Sequence, residues 1–291
     1  MTVDIMMPYY GDVQQMRDAV NSVLRQTSDN WRLVVVDDQY PDSTIADWLQ
    51  GMDDARITYL CNDQNLGSNG NFRRCVELAE SELTVIMGCD DVLLPHYVEW
   101  AEGIAAAHPE AEIFQPGVVV IDEHNALSNT TVEKVKAYYR PSESTLISGE
   151  AFAMTVLRGN WLYFPSLTWR TETLKKHSFR EGYEIVLDMG LLLDIAFDGG
   201  ALYYDQTAAF MYRRHRESYS SSSALDGMRF EEEKRFFSEM AERAQAKNWK
   251  KAALTAKLHI SSRLHAALLL PRVLSGKNWQ GAQKLSRHVI G

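Results

Sequence analysis

Four short apolar runs, each closing on polar or turn-forming residues, punctuate the first ninety residues: VDIMMPYY at 3–10, WRLVVVDD at 31–38, ITYLCN at 57–62 and LTVIMG at 83–88. Runs of this length, led by the unbroken β-branched VVV, fit strands buried on both faces of a sheet. The segments between them have helical character. Met16, Val20, Val23 and Leu24 fall at i, i+4, i+7 and i+8, which predicts a helix over 12–27. Ser43 or Thr44 can cap a second helix at 45–51, the NLGSNG loop leads into a third at 70–80, and VEWAEGIAAA forms a fourth. Alternation of strand and helix predicts an α/β fold with a central, mostly parallel sheet flanked by helices.

The second half is less regular. AEIFQPGVVVID reads as two strand pieces broken at Pro116–Gly117, and 123–149 as polar loop. A helix is expected at 150–158 and a strand at LYFPSLTWR, 162–170. IVLDMGLLLDIAFDGG reads as a helix that stops at Gly199–Gly200, and ALYYDQTAAFMYRRH as one or two strands. The serine run SYSSSS at 218–223 suits a loop, and 226–270 is helical, with Phe236, Met240 and Ala244 on one stripe. The expected division is 1–115, 116–224 and a C-terminal helical extension at 225–291.

The net charge of -9 argues against nucleic acid as a partner, because phosphate contacts supply most of that affinity. Three cysteines, Cys61, Cys75 and Cys89, make neither a disulfide framework nor a metal-ligand spacing, which fits a reducing cytoplasmic setting. The first residues lack the basic and apolar regions of a signal peptide. No stretch approaches the ~18 apolar residues of a membrane span.

In an open α/β sheet, ligands sit at the carboxyl ends of the strands. Asp37–Asp38, Asp90–Asp91, Pro8-Tyr9-Tyr10 and the Gly67–Gly70 loop all fall there, on one edge. VVVDD also resembles the acidic strand end of a response regulator or the ribose-binding acid of a dinucleotide fold. The latter needs a GxGxxG that PYYGDV lacks. In order and spacing, PYYG at 8–11, SVLRQT at 22–27, VVVDDQYPDST at 34–44, QNLGSNGNF at 64–72 and MGCDDVLLP at 87–95 resemble the family 2 glycosyltransferases of GT-A fold.

The resemblance implies an inverting transfer from a nucleotide-diphospho-sugar, UDP- or dTDP-linked, to a hydroxyl of a glycan or lipid-linked acceptor. It implies that Tyr10 packs on the base, with Pro8 shaping the turn, and that Asp38 accepts the imide N–H of uracil or thymine. Gly67, Asn71 and Arg73 would serve the nucleotide, and Asp90 would hold a divalent metal, Mn2+ or Mg2+, on the diphosphate. Two positions depart from the family pattern. Gly88 replaces the first acid of Asp-x-Asp, and Phe72 stands where many members carry a phosphate-binding arginine.

The resemblance also places the general base at Asp188, in an otherwise apolar helix where a buried carboxylate is costly unless used or paired. Asp194 is the alternative polar residue of that helix. YRRH at 212–215 is similar to a family element whose His215 would reach the metal or the diphosphate. The SYSSSS run would order over bound donor and exclude water. Trp161, Tyr163, Phe164 and Trp169 form either an acceptor platform or part of the core. The Lys, Arg, Leu and Trp residues of 250–290 either pack on the main domain or lie on an anionic membrane, which would put the protein at the inner membrane face. The rival readings are a sugar nucleotidyltransferase and a sugar-nucleotide-binding relative without turnover. The sequence leaves the oligomeric state open.

Overall fold

The computed structural model describes residues 1–215, 227–276 and 278–290. The SYSSSS segment lies outside them. In chain order the strands are β1 (Val3–Tyr9), β2 (Trp31–Asp37), β3 (Ile57–Cys61), β4 (Leu83–Ile86), β5 (Val92–Leu93), β6 (Ile113–Ile121), β7 (Thr145–Ser148), β8 (Thr168–Arg170) and β9 (Ala201–Arg213). The helices are α1 (Val13–Leu24), α2 (Thr44–Gln50), α3 (Gly67–Leu78), α4 (Tyr97–Ala107), α5 (Thr131–Tyr139), α6 (Gly149–Gly159), α7 (Thr171–His177) and α8 (Leu187–Phe197). They continue with α9 (Met228–Ala246), α10 (Lys250–Leu258), α11 (Ile260–Ser275) and α12 (Trp279–Ile290). Two compact units interleave along the chain. The first holds Met1–Ile147, Leu162–Phe179 and Gly200–Arg214; the second holds Ser148–Trp161, Arg180–Gly199 and His215–Gly291.

The sheet of the first unit runs β3-β2-β1-β4-β8-β6-β9-β5, with β7 beside β9. Strands β1 to β4 are mutually parallel, as the apolar runs predict, so their carboxyl ends share one edge. Strand β8 enters antiparallel between β4 and β6. Val3, Ile5, Met7, Leu33, Val35, Leu83 and Val85 are shut from solvent in one core, which α1 and α4 cover with Met16, Val20, Val98 and Ala101. Burying such aliphatic side chains stabilises by roughly 1.5–3 kcal/mol each. Asp4 is a polar exception at the base of the sheet. Burial alone would raise its pKa, but Arg32 at 2.8 and 2.9 Å, the Ser81 hydroxyl and the N–H groups of Glu80 and Ser81 outweigh it and hold the carboxyl low.

Several expectations are corrected. AEIFQPGVVVID is one strand, β6, whose register against β9 shifts on either side of Gly117. A Cβ at Gly117 would lie 2.4 Å from the Gln206 carbonyl oxygen, so only glycine fits this approach. Residues 123–149 are not all loop, since they contain α5 and β7. LYFPSLTWR supplies only the three residues of β8, after a 3-10 turn at Phe164–Ser166. Of the one or two strands expected for ALYYDQTAAFMYRRH, a single 13-residue strand forms, as that expectation allowed.

The second unit is helical. Among its described residues, and those of the whole chain, no helix is long and apolar enough to cross a membrane. Phe230, Ala266, Val273, Ala282 and Leu285 form a core between α9, α11 and α12. Beside it the buried Ser262 hydroxyl donates to Glu233 and meets His288 Nε2 at 2.6 Å. With the serine proton on Glu233, the neutral tautomer that fits carries its proton on Nε2. Burial, and then the nearby His259, pushes His288 down from 6.5 to about 4.

A histidine depressed in this way is neutral when folded and takes up a proton near 6.5 when unfolded. Its contribution to stability is therefore complete above pH 6.5 and is lost as pH falls from 6.5 toward about 4. Chemical denaturation between pH 7.5 and 4.5 should show a shallower loss for His288→Gln than for the natural chain. Parallel curves would contradict the assignment.

Candidate functional site

The parallel register brings three strand ends side by side. Tyr9 pairs with Asp37 and Asp37 with Cys61, and the Asp38 N–H donates to the Tyr9 carbonyl at 3.0 Å. The two adjacent aspartates then serve different ends. Asp37 accepts the Tyr40 N–H at 2.7 Å and the Tyr59 hydroxyl at 2.6 Å, which closes the turn after β2. Asp38 turns one oxygen to the Leu66 N–H and to Asn62 Nδ2, both at 2.8 Å. The Asp38 carbonyl accepts from Asn65 at 2.9 Å.

Tyr9 is buried, whereas Tyr10 is 56% exposed, with its ring edge-on to Tyr40 at 5.3 Å. Tyr10 is therefore not a core aromatic. Pro8 is the penultimate residue of β1 and half-buried. A Cβ at Gly11 would meet Cys89 Sγ at 3.1 Å, so the turn after β1 abuts the acidic turn after β4.

The loop after β3 reaches α3 through Gly67, whose φ of 71° favours glycine. Asn71 is buried with both ends of its amide engaged. Its Nδ2 donates to the Val36 carbonyl at 2.9 Å, and its oxygen accepts from Asn62 at 3.1 Å. Asn71 thus ties α3 to β2 and to the residue that also holds Asp38. Arg73 is half-buried in the same helix, and Arg74 pairs with Glu77 on its exposed face. Phe72 is half-buried and packs between Phe164 and Phe179 at 5.8 and 5.5 Å, an aromatic setting that gives a charged side chain no partner. Phe164 in turn meets Trp169 at 6.0 Å; Trp161, Tyr163 and Trp169 are buried in the core, whereas Phe164 is half-buried.

The acidic turn is built around Gly88. A Cβ on Gly88 would fall 2.7 Å from Asp90 Oδ1 and 2.6 Å from Asp91 Oδ2. Two carboxylate oxygens therefore occupy the space a side chain would need. Asp91 is buried, and its Oδ1 accepts the Arg213 N–H at 2.8 Å. Its Oδ2 has no hydrogen-bond partner among the described residues. Burial, and then the charge of Asp90, pushes the Asp91 carboxyl well above the usual carboxylate range. Arg213 closes the turn from the end of β9. Its Nε donates to the Asp90 carbonyl at 2.7 Å, and Nη1 to Asn125 at 2.7 Å and the Asp122 carbonyl at 3.2 Å. Asn62, Asp91 and Arg213 received no role from the sequence; the YRRH motif was the signal available for Arg213.

Among the described residues, no group of three or more His, Cys, Asp or Glu side chains forms a ready-made metal cage. The paired oxygens over Gly88 and the orphaned buried Asp91 Oδ2 nevertheless fit a divalent cation. Such an ion takes one or two protein carboxylates and completes its shell with phosphate and water.

Asp188 and His215 fall in the second unit. Asp188 opens α8, half-buried. It accepts from Asn160 Nδ2 at 2.9 Å and from the Met189 N–H at 2.8 Å. Glu232 of α9 fixes the segment before it by accepting the N–H groups of Glu184, Ile185 and Val186 at 3.0, 2.6 and 3.0 Å. Asp194, one helical face away, is held by Arg180 and Arg243 and is a structural ion-pair partner. These guanidinium groups outweigh its burial and keep its pKa low. His215 is half-buried, two residues after Arg213.

The model of glycosyl transferase family 2 matches residues 4–160, more than half of the 291-residue chain and the ends of β1 to β4. The chain belongs to glycosyl transferase family 2. Among curated members it is 34% identical over 90 residues to the putative colanic acid biosynthesis glycosyl transferase WcaA of Escherichia coli K12. That stretch covers 31% of this chain and 32% of the relative. It is 31% identical over 97 residues to an E. coli UDP-Glc:alpha-D-GlcNAc-diphosphoundecaprenol beta-1,3-glucosyltransferase, WfgD, covering 33% and 38%. The chain thus spans about a third of the length of these relatives. Residues 1–349 of TarS from S. aureus, solved with UDP-GlcNAc, share its fold. The TM-score is 0.66 at 14% identity, over 99% of this chain and 90% of the other. The expected family and GT-A fold are both borne out.

For this family 2 member, Gly88→Ala should lower stability by roughly 1–3 kcal/mol through overpacking. Gly88→Asp should cost at least as much, although it writes the commoner Asp-x-Asp into the sequence. Urea midpoints of both variants test this. Midpoints equal to that of the natural chain would show that the carboxylates move aside freely.

Proposed function

We propose that this family 2 protein is an inverting glycosyltransferase that moves a sugar from a UDP- or dTDP-linked donor to a hydroxyl of a glycan or lipid-linked acceptor. The observation that carries the reading is the gathering of Tyr10, Asp38 and the Asp90–Asp91 turn along one sheet edge. In it, the exposed Tyr10 ring stacks on the base and Asp38 accepts the base imide N–H with its remaining lone pairs. Gly67 and Arg73 serve the donor phosphates, while Asn71 and Pro8 shape the walls. The UDP-GlcNAc on TarS supports a uracil nucleotide, and the lipid diphosphate in the name of WfgD supports a lipid-linked acceptor.

The chemistry is one in-line displacement. The acceptor oxygen bonds to the anomeric carbon as the bond from that carbon to the diphosphate breaks, and the acceptor proton passes to Asp188. The hydrogen bond from Asn160 orients that carboxylate, and Glu232 fixes the segment leading to it. Asp90 and Asp91, with His215 as a further donor, would hold Mn2+ or Mg2+, which supplies Lewis-acid stabilisation of the leaving diphosphate when bound. Gly88 does not favour a relative that only binds, because the two carboxylates already fill the space of the missing acid.

Thermal shift with UDP, dTDP, GDP and CDP, each with and without Mn2+, tests the donor site. A ligand at a hundredfold over its Kd stabilises by about 2.7 kcal/mol. UDP or dTDP should raise the Tm in the presence of metal and fail to do so on Asp90→Ala. Stabilisation by none of the four removes the reading. Asp188→Asn should keep the donor-dependent shift and lose about a hundredfold or more in transfer rate. Full transfer activity in that variant would take the base away from Asp188.

A further inference from the structure

Charge is divided unevenly along the chain. After Glu242 there is no acidic residue to the end at Gly291, while ten of the 30 basic residues lie there. The preceding 242 residues therefore hold the other 20 against all 39 acids, so a net-acidic protein ends in a wholly cationic stretch. The helices of that stretch also face outward in an unusual way. The inner face of α11 buries Ser262, Ala266 and Val273. Its outer face is apolar as well: Ile260, Leu264 and Leu268 stand 58%, 59% and 79% exposed at i, i+4 and i+8. On α10, Leu254 and Leu258 are 57% and 43% exposed. A helix facing water normally shows polar side chains on its outer side. Here exposed aliphatic residues alternate with the exposed cations Lys257 and Arg272 and with no acid.

We propose that the outer face of α10 and α11 docks on the surface of an anionic lipid bilayer. Aliphatic side chains entering the headgroup boundary, with lysine and arginine beside lipid phosphates, are the pattern by which helices lie on such membranes. Charge decides against the same face of a second copy as the cover. A symmetric pairing would bring two sets of cations together without a counter-charge. The exposed apolar residues Val132, Val135 and Tyr138 of α5 likewise lie among Lys134, Lys136 and Arg140. The docking does not depend on the transfer chemistry. If the transferase reading holds, it keeps the enzyme beside an acceptor carried in the lipid.

Co-sedimentation of the full chain with vesicles tests the proposal, without donor or metal. One set is pure phosphatidylcholine and the other an equal mixture with phosphatidylglycerol. The protein should bind the mixed vesicles, bind pure phosphatidylcholine much more weakly, and be released by high salt. Leu264→Ser with Leu268→Ser should weaken binding about tenfold or more. Lys257→Gln with Arg272→Gln should weaken it about 25-fold, since each cation contributes about fivefold near an anionic surface. All four side chains lie outside the buried core, so unchanged melting temperatures verify the fold. No binding to mixed vesicles, or binding that the leucine pair leaves intact, overturns the proposal. So does lipid-free self-association that the leucine pair abolishes, because the cover is then a second copy.

Discussion

The first unit depends on one buried guanidinium. Arg213 is 2% exposed, and a charge so placed is costly unless hydrogen bonds surround it. Here the backbone and Asn125 supply those bonds at the point where three chain segments meet. The end of β9, the turn after β6 and the acidic turn after β4 are fastened to one planar group. The same residue's N–H positions Asp91, so the carboxylates over Gly88 keep a defined geometry. The buried positive charge beside them also offsets part of the cost of holding two acids together. Its Nη2 has no hydrogen-bond partner among the described residues.

The second constraint is the direction of the strands. Four parallel strands must deliver their carboxyl ends to one edge, and polar residues placed there meet without long-range design. What each residue does there is settled by local hydrogen bonds. Asp37 and Asp38 are adjacent and equally buried, yet Asp37 closes its own turn while Asp38 gathers the loop that follows β3. Asn62, which opens that loop, joins the end of β2 to α3 by bonding to both Asp38 and Asn71. The rim is a network in which the expected ligand-binding residues are held by hydrogen bonds to one another and to neighbours such as Asn62.

The first hundred residues were legible because strands buried on both faces appear as unbroken apolar runs, and because the family motifs sit at their ends. Helix α5 was hidden for a physical reason. Its amphipathicity is inverted: Glu133 is its buried residue, paired with Arg214, while Val132, Val135 and Tyr138 face outward. Pro165 turned an aromatic run that looked like a strand into a 3-10 turn. Phe72 was readable as a departure from the family but not as a member of an aromatic cluster, since Phe164 and Phe179 lie far from it in sequence. Arg213 stood inside a recognised motif, but its partners come from three separate segments. Asp188 and Asp194 looked alike on one helix until Arg180 and Arg243 claimed the second.

The central claim is that the turn at Gly88–Asp91 receives a cation-bound nucleoside diphosphate. Anomalous diffraction at the manganese edge, from crystals grown with UDP and Mn2+, addresses it most directly. The account predicts a single strong peak above Gly88, bonded to the carboxylates of Asp90 or Asp91 and to both phosphates, with uracil against Tyr10. A nucleotide bound elsewhere, or bound at this edge with manganese absent from the turn, would contradict it.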